Sequence, residues 1–125
     1  MIEIIDIGIK NATAFRMAGK ITESDVSLVL SDIKEKIEVH GNIVIYMELE
    51  SFKGIELAAV VEEFKYLFDV GLSNVTRNIT REVLVTDKKW MEKLVKLEDK
   101  IFKDVEMKYF STDEKELVIK FLKNE

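Results

Sequence analysis

The residues best suited to chemistry sit where apolar runs give way to polar ones. Glu48, Glu50 and Ser51 follow the run Ile43–Met47, and Asp87 follows Val83–Val85. If those runs are strands, the three acids lie at carboxyl ends, where open α/β sheets place their ligands. Three carboxylates there could hold a cation or share acid and base roles. The plainer reading is favoured: Asp87 caps a following helix and the two glutamates are solvated. Ser51, near a helix start, could carry a phosphate stabilised by the free N–H groups of the first turn. Glu48 and Glu50 beside it would repel that charge, so a loop or capping serine is the simpler role. His40 is the only histidine and precedes Gly41 at a helix end, a place that suits an imidazole without any metal. Motifs for phosphate cradling, zinc hydrolysis or a nucleophile elbow are absent from the sequence. The chain is therefore read as a non-enzyme, with no cofactor and no metal.

Composition narrows the classes further. The chain has 125 residues, long enough for one domain with its own core, and a single domain over 1–125 is expected. A net charge of -5 with no basic cluster argues against nucleic acid as partner. The absence of cysteine excludes disulfides and thiolate ligands. The start, MIEIIDIGIK, lacks a basic segment, and no apolar run approaches the length that spans a bilayer, so a cytoplasmic location is expected.

The positioning elements follow from periodicity. Ile2–Ile9 reads as a strand whose alternation shifts phase: Ile2 and Ile4 on one face, Ile5, Ile7 and Ile9 on the other. Ala12–Ala18 returns antiparallel to it, with Thr13, Phe15 and Met17 on one side. Thr22 with Asp25 opens a helix whose inner stripe is Val26, Val29, Leu30, Ile33 and Ile37, ended by Gly41. Asn74–Thr80 is loop-like and Val83–Val85 a short buried strand. Trp90, Leu94, Leu97 and Ile101 mark a further helix. Val105–Phe110 is a strand, and Ser111 with Glu114 makes a capping box for a last helix carrying Leu117, Val118, Phe121 and Leu122. The order is ββαβαβαβα. It predicts an α/β fold: a mixed five-stranded sheet, parallel except for the N-terminal hairpin strand, with packed helices, three of them crossovers.

One stretch carries more apolar surface than a sheet-facing helix uses. In Gly54–Leu72, Leu57, Val60, Val61, Phe64, Leu67, Phe68 and Leu72 gather on one arc, and Ile55, Ala59, Tyr66 and Val70 on the opposite side. With Phe52 in the preceding loop, that second stripe is a candidate interaction or ligand surface. Its expected occupants are a second copy of the chain, giving a dimer, another protein, or a small apolar ligand.

GKITESD after the hairpin, IVIYMELESFKGIEL in the middle and VLVTDKKW entering the third helix resemble the SpoIIAA-like proteins, relatives of the STAS domain of anti-sigma-factor antagonists. The resemblance runs over roughly residues 1–122. It implies the fold above and a non-enzymatic role, in a group largely without assigned function and similar in fold to lipid-carrying CRAL-TRIO domains. STAS antagonists are switched at a serine in an Asp-Ser-Ser-Gly-like turn before the second helix. Here the turn reads Glu50-Ser51-Phe52-Lys53-Gly54, so the switch is not carried over. The resulting expectation is a self-associating interaction or regulatory module. The alternative is a carrier or sensor of a lipid-like ligand held between the second helix and the sheet.

Overall fold

Strand β2 (Ala12–Met17) is buried along almost its whole length, and only Arg16 within it reaches solvent. In the computed structural model it lies between β1 (Ile2–Ile5) and β3 (Ile43–Leu49), followed by β4 (Ile79–Thr86) and β5 (Met107–Ser111), in the order β1-β2-β3-β4-β5. The structure describes residues 1–50, 76–87 and 107–124. β1 pairs antiparallel with β2 and the other three pairings are parallel, giving the expected mixed five-stranded α/β sheet. Two helices are described: α1 (Glu23–His40), the crossover from β2 to β3, and α2 (Lys115–Lys123). The expected helices over the central stretch and around Trp90 lie outside the described residues.

Strand alternation deals the side chains to two cores. Phe15, Met17, Ile45, Met47, Leu49 and Leu84 face α1, which contributes Val26, Val29 and Ile33. Ala14, Val44, Tyr46, Val83 and Val85 face the other way and meet Val118 and Leu122 of α2. A parallel sheet filled on both faces explains the unbroken apolar run of β3.

α1 begins in a full capping box. Thr22 Oγ1 accepts the Asp25 N–H at 3.2 Å, and Asp25 accepts the Thr22 N–H at 3.0 Å. The Thr22 N–H, with a further bond from the Ile2 N–H, holds the Asp25 carboxyl below the usual carboxylate range. That ionised cap stabilises the fold above the ordinary carboxylate pKa and is lost as pH falls through its lowered value. The helix stops at Gly41, whose φ of 84° a side chain would strain.

Four expectations are corrected. β1 ends at Ile5 rather than Ile9, because the Asp6 carboxylate accepts the Gly8 N–H at 2.8 Å and turns the chain. The phase shift is real: Ile2 and Ile4 pack on the α1 side, and Ile5, Ile7 and Ile9 on the α2 side. β4 starts at Ile79, earlier than Val83, after a short 3-10 turn over Thr76–Asn78. Thr80, Arg81 and Glu82 mask its alternation, although Glu82 is buried. Half of the Ser111–Glu114 box forms. Glu114 accepts the Ser111 N–H at 2.9 Å, but the Ser111 hydroxyl binds the Asp113 and Glu114 carboxylates instead of the helix. Leu117, expected inward, is half exposed.

Among the described residues, Thr13 Oγ1 is buried on the α1 side of β2 with no hydrogen-bond partner. An unsatisfied buried hydroxyl costs about 1–3 kcal/mol. Thr13→Val keeps the shape and removes the hydroxyl, so it should raise stability by about 1 kcal/mol in denaturant unfolding. Phe15→Ala, by contrast, should cost about 3–5 kcal/mol, because Phe15 is fully enclosed.

Candidate functional site

Strand register builds the site. Glu3, Arg16 and Glu48 stand directly abreast on β1, β2 and β3, since Glu3 pairs with Arg16 and Arg16 with Glu48. Arg16 Nε donates to Glu48 Oε2 at 2.7 Å, and also lies 3.6 Å from Glu50 Oε1. Its Nη1 lies 3.8 Å from Glu3 Oε2. One guanidinium thus draws together three carboxylates, one from β1 and two at the end of β3. This is the geometry for which a planar, multi-donor cation is suited.

The crevice at the strand ends encloses about 400 Å³ and is lined by Arg16, Glu48, Leu49, Glu50, Asp87 and Thr112. The acids singled out in the sequence, Glu48, Glu50 and Asp87, therefore do line one cavity. Arg16, passed over in the sequence, is the group that binds two of them. The signal was present: Arg16 is a lone charge in an otherwise uncharged strand. Among the described residues no three His, Asp or Glu side chains converge as they would to hold a metal ion. Ser51, Phe52, Ile55, Ala59, Tyr66 and Val70 lie outside the described residues. His40 is the last residue of α1 and is exposed.

Behind the ladder, Tyr46 is buried against the α2 face. Burial, reinforced by the neighbouring Glu48 carboxylate, pushes its hydroxyl up to about 12. Tyr46, Arg16 and Glu48 also line a second cleft of about 340 Å³, between the β1–β2 connection and α2. The Arg16–Glu48 pair is thus a wall shared by two cavities.

The described residues thus form a mixed sheet filled on both faces, with a charge ladder across its first three strands. The chain belongs to the SpoIIAA-like family, whose model matches residues 12–123. The family is STAS-related, and domains of this kind are generally non-enzymatic regulatory and interaction modules. No curated protein and no solved structure gives a significant match. No described helix is long and apolar enough to cross a membrane.

Two outcomes are expected of the ladder. Arg16→Met leaves Glu48, whose side chain is only 13% exposed, without its cation, and should lower the melting temperature. Adding Glu48→Gln should recover most of the loss, and additive losses in the double variant would refute the coupling. Tyr46 holds its proton more tightly folded than unfolded. Its contribution is complete below pH 10 and fades as pH rises towards about 12. Tyr46→Phe should flatten the fall in stability over that interval, measured by urea unfolding at successive pH values.

Proposed function

We propose that this protein is a non-enzymatic interaction module that associates with a second copy of itself and works without a phosphoserine switch. The observation that carries the reading is the family match over residues 12–123, combined with a turn, Glu50-Ser51-Phe52-Lys53-Gly54, that lacks the paired hydroxyls of the switch. The charge ladder is in keeping with it. Glu50 is drawn to Arg16 at 3.6 Å, so a phosphate on the adjacent Ser51 would enter a region already supplied with carboxylates. The self-contact is assigned to the second stripe of the central stretch, Ile55, Ala59, Tyr66 and Val70, with Phe52 at its margin. Two-fold pairing would set each stripe against its own equivalent, and Tyr66 would be the anchor, since tyrosine brings apolar area and a hydroxyl at low entropic cost.

Light scattering with circular dichroism tests the reading. Wild type is expected to be a dimer and Tyr66→Glu a folded monomer, because the change sets two like charges in a desolvated contact. A monomeric wild type, or a folded dimeric Tyr66→Glu, would refute it. Ser51→Asp should leave fold and oligomeric state unchanged. Loss of association in Ser51→Asp, with association retained in Ser51→Ala, would restore the phosphoswitch.

A further inference from the structure

We propose that the cleft between the β1–β2 connection and α2 binds a small zwitterion with an apolar side chain, the chemistry of a free α-amino acid such as leucine or phenylalanine. The proposal is independent of self-association and uses a different part of the fold.

The cleft encloses about 340 Å³, within the range of small-molecule sites. Its walls are mixed, apolar on two sides and charged between them. Ile5 and Ile7, both half-buried, stand on one side, and Val118 and Ile119 of α2 stand on the other. Lys115, Val118 and Ile119 are spaced i, i+3, i+4, so one face of α2 supplies both apolar contact and a cation. Tyr46, 4% exposed, lines the cleft beside Glu48, so the polar wall is preorganised by the sheet rather than by mobile loops.

The charges select the ligand. Two cations, Arg16 and Lys115, and two carboxylates, Asp6 and Glu48, line the same space. A wholly apolar guest would strip water from these groups without replacing their hydrogen bonds. A lone anion would meet Asp6 and Glu48 in a chain of net charge -5, and a lone cation would meet Arg16 and Lys115. A zwitterion satisfies both signs. Lys115 makes no ion pair among the described residues and is the partner for the ligand carboxylate, with Arg16 beside it. Asp6, whose Oδ1 accepts the Gly8 N–H, receives the ammonium group, with Glu48, already paired with Arg16 through Oε2, beside it. The side chain then lies between the isoleucines and α2. No bond is made or broken: the role is recognition.

The test is a titration of the ¹⁵N-labelled full chain with L-leucine and L-phenylalanine, run beside isocaproate and isoamylamine, which each keep one of the two charges. Saturable shifts are expected at the amides of Ile5, Ile7, Tyr46 and the first turns of α2. Each single-charge analogue should bind at least about tenfold more weakly, the worth of one lost charge-assisted hydrogen bond. Lys115 is exposed, so Lys115→Met should keep the fold and weaken leucine by a similar factor. The proposal is overturned if neither amino acid gives saturable shifts, if isocaproate or isoamylamine binds as tightly as leucine, if Lys115→Met binds leucine unchanged, or if the shifts map to Glu50, Asp87 and Thr112 instead.

Discussion

The structure depends on a sheet whose inner strands have no solvent-facing side. β2, β3 and β4 are flanked by strands at both edges and packed above and below, so nearly every residue in them must satisfy a neighbour in two directions. Apolar side chains do this by shape alone. Polar ones need a partner at a fixed height, and register provides it. Thr86 Oγ1 donates to the Leu49 carbonyl and Thr80 Oγ1 to the Ile43 carbonyl, each at 3.2 Å, stitching β4 to β3 outside the ladder. Thr13, fully buried, found no such acceptor.

The same constraint explains the charge ladder. A cation on an inner strand can reach solvent only near the end of the sheet, and Arg16 is the penultimate residue of β2. There its neighbours on both sides are glutamates in direct register. The ladder is half exposed, so its attraction is moderated by water and salt. Arg16 and Glu48 also line both cavities, so the pair forms a wall common to the two.

The second layer is held by chemistry of a different kind. α2 is short and its own helical bonds are few, so it relies on what it meets. The Arg81 guanidinium donates to the Phe121 carbonyl and to Asn124 Oδ1, each at 2.6 Å. Arg81 and Lys108 also each lie 4.7 Å from the Phe121 ring centroid. Cations thus stand where the carbonyls at the helix end accumulate negative potential. Asn124 takes the left-handed conformation that closes the helix, a position often given to glycine.

The sequence by itself determined the types of the described strands and helices, the antiparallel first strand, both ends of α1 and the family. These rest on local signals: the period of the isoleucines and valines, the Thr22–Asp25 spacing and the positive φ demanded at Gly41. It also put Glu48, Glu50 and Asp87 at one end of the sheet, because strand ends follow from strand bounds. Tertiary structure alone decided what those acids are joined to. Arg16 is 32 positions from Glu48, and only parallel pairing with zero offset between their strands brings guanidinium and carboxylate to 2.7 Å. The second cleft was likewise invisible in the chain. Its walls come from segments more than 100 positions apart, and its balance of charge is a property of their meeting, which no local pattern encodes.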